Sequence, residues 1–161
     1  MKSVLISIQR PHTDNIKALI KKIEIRKNKP NQETPFPCFI YETKTKGGCG
    51  KVIGEFVCDE VYEWKYDYCD GVDIDDDLIL DTCLDREDIN IYAKGKTLYG
   101  WHISELKIYD KPKPIMQFYK PCPIEWKNCP VCEFYSTNTG CCMNNIDRAP
   151  QSWCYVESLG E

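Results

Sequence analysis

The sequence lacks the features that would send a chain into or across a membrane. None of its apolar runs approaches the roughly 20 residues that a transmembrane helix needs. The first twelve residues, MKSVLISIQRPH, hold too short an apolar run for a signal peptide and no small-residue cleavage site. We therefore expect a cytoplasmic protein without a membrane partner. No internal repeat is visible, and a chain of 161 residues is expected to form one domain with at most a small appendage.

Charge is unevenly distributed along the chain, although the formal net charge is only -4. Residues 1–30 carry eight lysines and arginines against two acids, whereas residues 67–88 carry ten acids against one arginine. This asymmetry permits a basic nucleic-acid-binding face on an otherwise acidic protein. The acidic segment is also typical of a solvated loop that binds nothing, and this is the interpretation that we favour for it.

Apolar periodicity predicts a mixed α+β fold. In order, the predicted elements are a central strand at 4–8, a helix at 14–22 with Thr13 as N-cap, a strand at 23–27, a hairpin of strands at 38–43 and 51–66, short helices near 78–84 and from 85 with Asp85 as N-cap, a strand at 98–109 and a last strand at 152–157. This order suggests a small mixed sheet that curls into a barrel, with helices flanking it.

At residues 20–26 the sequence changes from helical to strand periodicity. The apolar residues that lead into this segment recur at i, i+3, i+4 and i+7, whereas residues 23–26 alternate apolar and charged. Alternation places Glu24 and Arg26 on one face of the strand, with Lys21 just before it. These three charges form either a salt-bridged surface or a polar site.

This charged motif, Lys21-x-x-Glu24-x-Arg26, resembles the ASCH domain when it is read with two later segments. These segments are KVIGEF at 51–56 and YGWHISELKIY at 99–109. ASCH domains are PUA-like β-barrels thought to bind RNA or other nucleic acid. The resemblance therefore implies a PUA-like (ASCH) mixed β-barrel with flanking helices over residues 1–116, completed by a closing strand at 151–161.

The resemblance also implies candidate catalytic residues. The ASCH family includes an acetylcytidine amidohydrolase whose active residues are the lysine of this motif, a threonine at the position of Glu24 and a glutamate on a later helix. Lys21 matches the first, Glu24 departs from the second, and Glu87 is the candidate for the third. A carboxylate at position 24 favours a protonated Lys21, which is better suited to gripping a phosphate or a base edge than to nucleophilic attack.

Further candidates for nucleic-acid binding come from aromatic and basic residues outside the motif. Trp101 offers a stacking face for an unpaired base, although tryptophans in strands more often belong to the core. His102 is one of only two histidines, and a lone histidine is more often part of a hydrogen-bonded structure than a catalyst. Arg148 and Gln151 precede the last strand, and we expect both to reach the cleft that contains Lys21.

Six of the eleven cysteines crowd the last quarter of the chain, where aliphatic residues are few. The candidate metal ligands are Cys122, Cys129, Cys132 and either Cys141 or Cys142, with Cys154 in reserve. A CxxC turn with two further thiolates completes a tetrahedral zinc site without an open position, which is typical of structural zinc. Residues 117–150 are therefore predicted to form a small lobe held by Zn²⁺, with a redox CxxC or free buried thiols as the alternatives.

Three functions are consistent with these observations. The first is a module that uses Lys21, Glu24 and Arg26 to bind RNA or a modified base. The second is a hydrolase acting on a modified nucleoside or on RNA, with Lys21 and either Glu24 or Glu87. The third is a protein-interaction adaptor that presents the zinc lobe. Turnover distinguishes the second from the first, and the absence of both activities would indicate the third.

Overall fold

The computed structural model describes residues 2–121 and 145–157 and confirms a mixed α+β fold. The strands in this part of the chain are β1 (Ser3–Ile8), β2 (Ile23–Arg26), β3 (Phe36–Glu42), β4 (Lys51–Cys58), β5 (Val61–Trp64), β6 (Tyr66–Asp67), β7 (Gly71–Val72), β8 (Leu98–His102), β9 (Ser104–Lys113) and β10 (Trp153–Val156). The helices are α1 (His12–Lys17), α2 (Asp76–Thr82) and α3 (Arg86–Ala93). Within the described ranges, none of the helices combines the length and the apolar character needed to cross a membrane.

A five-stranded sheet with the order β10-β1-β3-β4-β9 forms the larger part of the fold. As predicted, β1 is a central strand, and it is buried along its whole length because it runs parallel to β3 and antiparallel to β10. The predicted hairpin is also confirmed, since β3 and β4 pair antiparallel. The chain closes as predicted, with β10 added beside β1.

A second sheet has the order β2-β8-β5, and its edge strand β2 carries Glu24 and Arg26 of the charged motif. Trp101 of β8 lies edge to face with Phe36 of β3, with ring centroids 5.7 Å apart, so its indole packs the second sheet against the first. The strands β6 and β7 form a separate two-stranded pair. Among the described residues the strands pair as distinct sheets, and a closed barrel stays a prediction.

The helix predicted at 14–22 is shorter and starts earlier than expected. It ends at Lys17, and Leu19 then adopts a left-handed backbone conformation with φ of 60°. Leu19 and Ile20, which have the spacing of one helical face, lie beyond the end of the helix and are largely exposed, so the prediction that the helix includes them was wrong. Thr13 does not cap the helix, because its hydroxyl donates to Glu42 instead. The turn after α1 brings the chain onto β2, and tertiary packing here overrides helical periodicity.

Two further elements differ in extent from their predictions, and one agrees. The strand predicted over 51–66 is divided into β4, β5 and β6, and the strand predicted over 98–109 is divided into β8 and β9. The prediction for α3 is confirmed, because the Asp85 carboxylate accepts a hydrogen bond from the backbone N–H of Asp88 at 2.7 Å.

The described ends of the predicted cysteine-rich segment pack on the first sheet. Phe118 and Ile146 are buried, and they share an apolar cluster with Leu5 of β1 and Val156 of β10. A backbone hydrogen bond from Ile146 to Phe118 holds the two ends side by side. The chain thus leaves the sheet and returns to it at one place, just before the closing strand.

Candidate functional site

A cavity of about 650 Å³ opens beside β2. Its walls come from the end of β1, the start of α1, the loop between β3 and β4, the connection between α2 and α3, the helix α3 itself, and the segment that precedes β10. The cavity volume lies within the range of roughly 300–1,000 Å³ that is typical of small-molecule sites. It is therefore large enough for a nucleoside-sized ligand.

The three charges of the sequence motif meet at the floor of this cavity. The Glu24 carboxylate lies 3.4 Å from Lys21 Nζ and 2.9 Å from Arg26 Nη2. All three residues are buried. Lys21 also donates to the carbonyl of Thr82 at 2.6 Å, and Arg26 donates to the carbonyl of Ser7 at 2.7 Å. We call Lys21, Glu24 and Arg26 the buried triad.

The electrostatics of the buried triad depend on its central carboxylate. Burial alone would raise the pKa of Glu24, but the neighbouring charges of Lys21 and Arg26 more than offset this effect and hold the pKa below its ordinary value. Glu24 is therefore ionised at neutral pH, and one negative charge lies between two positive ones. The triad as a whole retains a single net positive charge beneath the cavity.

His12, at the start of α1, lines the same cavity and was missed by the sequence analysis. Burial has the largest effect on the pKa of His12 and lowers it below its ordinary value. The charge of Glu24 acts to raise this pKa, and the charges of Lys21, Lys46 and Arg26 act to lower it further. Its Nδ1 atom is buried and has no hydrogen-bond partner among the described residues. The only available signal was the scarcity of histidine, which does not indicate a cavity. At neutral pH the imidazole is uncharged and offers one donor and one acceptor.

The helix α3 forms another wall of the cavity and supplies one aromatic and one acidic side chain to it. Asp88 and Tyr92, one helical turn apart, both line the cavity. Tyr92 is 38% exposed, and Lys27 Nζ lies 4.8 Å from its ring centroid. Glu87, the predicted catalytic glutamate, is exposed and does not line the cavity. Residues four apart share a helical face and adjacent residues do not, so Asp88 occupies the place that the sequence analysis gave to Glu87.

The other predicted binding residues lie in two different environments. Trp101 has no exposed surface, so the prediction that it offers a stacking face was wrong. It lies on the central strand of the second sheet, where both neighbouring strands and the opposing sheet cover it. Gln151 lines the cavity, whereas Arg148 is exposed and does not. A contact from Arg148 to a longer nucleic acid stays a prediction.

The five cysteines proposed as zinc ligands lie outside the described residues. In residues 2–121 and 145–157, no three side chains of histidine, cysteine, aspartate or glutamate are arranged to hold a metal ion. Cys154 lies in β10 as a partly buried free thiol, and burial raises its pKa. A buried, protonated thiol is consistent with packing, which is the role that the sequence analysis gave it.

A second buried carboxylate, that of Glu42 at the end of β3, fixes the loop that follows. It accepts hydrogen bonds from Thr13 Oγ1 at 2.7 Å, Lys17 Nζ at 2.9 Å and the backbone N–H of Cys49 at 2.8 Å. Burial alone would raise the pKa of Glu42, but these hydrogen bonds outweigh it and lower the pKa to about 2. The loop wall of the cavity is thereby attached to α1.

Comparison with known proteins identifies the fold. No protein-family model and no curated protein matches the sequence. The crystal structure of ASCH from Zymomonas mobilis matches with a TM-score of 0.62 at 15% sequence identity, covering 98% of this chain and 89% of that one. Two mutant forms of the same protein match with TM-scores of 0.61 and 0.62 at 13% identity, covering 98% of this chain and 92% and 89% of theirs.

This chain has the ASCH fold. The resemblance drawn from the charged motif and the two later segments is thereby confirmed at the level of the fold. Within the ASCH fold, Glu24 and Arg26 lie on the edge strand of the second sheet and Lys21 lies just before it, and the three charged side chains form the floor of the cavity.

Replacing the central carboxylate of the buried triad should destabilise the protein strongly. In Glu24→Gln, two buried cations lose their counter-charge, so we expect the free energy of unfolding to fall by about 3–5 kcal/mol. Asp81→Asn, which breaks the more exposed pair with Lys22, is the control and should cost less than about 1 kcal/mol. Urea unfolding at neutral pH measures both. Equal effects of the two substitutions would contradict the buried triad.

Glu42 should make stability depend on pH in a defined window. Because its pKa is about 2 in the folded protein against an ordinary value of 4.5, its contribution is present above pH 4.5 and is lost as the pH falls toward 2. Glu42→Gln should therefore reduce stability at pH 7 by on the order of 3 kcal/mol and have little effect near pH 2. Urea unfolding across this range, with the exposed Glu33→Gln as control, measures it. A constant difference between Glu42→Gln and the unmodified protein would refute the assignment.

Proposed function

We propose that the protein binds RNA or a modified nucleoside in the cavity above the buried triad. The observation that carries this proposal is the combination of a nucleoside-sized cavity, a charged floor and an aromatic wall. Glu24 and Arg26 offer an acceptor and donors to a base edge or a phosphate. Tyr92 supplies an aromatic ring of the kind on which unpaired bases stack.

Binding is better supported than catalysis by Lys21. Its ammonium group is buried, lies 3.4 Å from the Glu24 carboxylate and donates to the Thr82 carbonyl. A nucleophile or general base needs a free lone pair, whereas these two contacts already occupy the Lys21 amine. The group is thus already engaged within the protein, where it shapes the floor of the cavity and fixes the charge of Glu24.

The aromatic role that the sequence analysis gave to Trp101 passes to Tyr92 in this proposal. Tyr92→Ala should weaken binding of a single-stranded 12-mer RNA by about 5- to 100-fold, because base–aromatic stacking contributes roughly 1–3 kcal/mol. Ile91→Ala is the matched control, since Ile91 is 61% exposed, adjoins Tyr92 and does not line the cavity. Fluorescence anisotropy with labelled RNA measures both. Similar affinities for the two variants would count against stacking at this wall.

Binding and turnover must be measured on the same preparation to separate the proposed functions. Salt-sensitive binding of RNA or a nucleoside without turnover supports the binding module. Hydrolysis of acetylcytidine or RNA would indicate a hydrolase instead, provided that Lys21→Ala abolishes the activity and the variant remains folded. A folded protein with neither activity would instead support the adaptor, whose partner would contact the predicted zinc lobe.

We also propose that residues 117–150 form a lobe held by a structural zinc ion. The support is the CxxC at Cys129 and Cys132 with further cysteines on both sides. Metal analysis of purified protein should find about one zinc per chain, and the double variant Cys129→Ser/Cys132→Ser should lose it. Cys69→Ser, at an exposed position outside the lobe, should retain the metal. Purified protein that is folded and free of zinc would rule this lobe out.

A further inference from the structure

The loop between β3 and β4, residues 43–50, is held more firmly than a hairpin connection requires. At its start, the backbone N–H of Thr43 donates to the carbonyl of Ile8 at 2.9 Å. Near its end, the N–H of Cys49 donates to the buried carboxylate of Glu42 at 2.8 Å. The backbone of this loop is thus anchored near both ends, which lowers the entropy that the loop would lose on binding a ligand.

The first half of the loop faces the cavity with a lysine and two hydroxyls. Thr43, Thr45 and Lys46 all line the cavity. The two threonine hydroxyls lie 2.6 Å apart. One hydrogen is enough to join the two oxygens, so the other hydroxyl hydrogen is available to a ligand. An ammonium group beside hydroxyl donors is a combination that suits an anionic oxygen.

The cations that line the cavity differ in whether a carboxylate neutralises their charge. Lys21 and Arg26 share Glu24 and have only 1% and 11% of their side chains exposed. Lys46 is exposed, and no described residue forms an ion pair with it. Asp88 carries a negative charge on the wall formed by α3. The positive charge most accessible to an anion therefore lies at the loop.

The backbone at Lys46 is in a conformation that lysine seldom adopts. Its φ and ψ angles are 54° and 32°, which is the left-handed region, and the neighbouring Gly47 has φ of 80°. A left-handed conformation costs a residue with a Cβ atom on the order of 1–2 kcal/mol. Such strain is concentrated at binding and catalytic sites, where a residue is kept for the function of its side chain although its backbone conformation is unfavourable.

We propose that the loop 43–50 binds phosphate, with Lys46 and the hydroxyls of Thr43 and Thr45 holding a phosphate group of a ligand whose nucleoside part lies in the cavity. This assignment rests on the proposed function and narrows the ligand to a nucleotide, either a free monophosphate or a phosphodiester within an RNA chain. The buried triad and α3 then face the nucleoside, and the loop faces its charge.

The test compares each of four ribonucleosides with its 5′-monophosphate by isothermal titration calorimetry at low salt. The unmodified protein should bind a monophosphate about ten- to a hundredfold more tightly than the matching nucleoside, as one charge-assisted contact provides. Lys46→Asn should remove this preference and leave nucleoside affinity unchanged. Asparagine tolerates the left-handed conformation, so the substitution removes the charge without adding backbone strain.

Lys44→Asn is the matched control. Lys44 lies in the same loop and is exposed, but it does not line the cavity. It carries the same charge at a similar position in the overall field of the protein. Retention of the phosphate preference in Lys44→Asn supports a specific contact at Lys46. The proposal would be overturned if both variants lost the phosphate preference equally. It would also be overturned if the unmodified protein bound a nucleoside and its monophosphate with the same affinity.

A second arm uses a single-stranded 12-mer RNA to distinguish a chain phosphate from a terminal one. If the loop holds a phosphodiester, Lys46→Asn should lower the slope of log affinity against log salt by about 0.7, and Lys44→Asn should not. A loss of monophosphate preference with an unchanged RNA slope would assign the loop to terminal phosphates. If Lys46→Asn changes neither the monophosphate preference nor the RNA salt slope of a protein that binds these ligands, the phosphate loop alone is refuted. Absence of all binding would refute the proposed function with it.

Discussion

The arrangement of this site depends on one buried carboxylate held between two cations. Glu24 pairs with Lys21 and Arg26 away from water, and each cation also donates to a backbone carbonyl in a different part of the fold, that of Thr82 at the end of α2 and that of Ser7 in β1. Buried charges are costly unless they are paired and hydrogen-bonded. Here all three are paired, and Arg26 Nε is a buried atom of the triad without a hydrogen-bond partner among the described residues. The same contacts join the second sheet to the first and form the floor of the cavity.

In the proposed function, this use of charge leaves ligand contacts largely to side chains on the walls. Lys21 is engaged on the protein side of the floor, so the groups best placed to select a ligand are the ring of Tyr92, the uncharged imidazole of His12, and Lys46 on the β3–β4 loop. Glu42 plays a second supporting part, because it ties that loop to α1. Two buried carboxylates thus fix the floor and one wall, and the less buried groups around them are the candidates for ligand contacts.

Prediction from the sequence succeeded where a local signal agreed with the tertiary structure. The central strand β1, the β3–β4 hairpin, the Asp85 cap of α3 and the closing strand follow from apolar runs, turn residues and capping chemistry. Prediction failed at Leu19 and Ile20, whose helical spacing continues past the real end of α1. The chain turns there because β2 must pair with β8. This pairing joins residues that are far apart in sequence, so no local sequence pattern predicts it.

The sequence by itself determined that Lys21, Glu24 and Arg26 would lie together, because Glu24 and Arg26 share one face of a short strand and Lys21 comes just before that strand. Only the tertiary structure decided that the triad is buried and that Trp101 packs in the core. It also decided that Asp88, Tyr92, His12 and Lys46 converge on one cavity from separate elements. Periodicity predicts which face of a helix or strand a residue lies on. It does not predict which other segment packs on that face, because that depends on contacts between residues far apart in sequence.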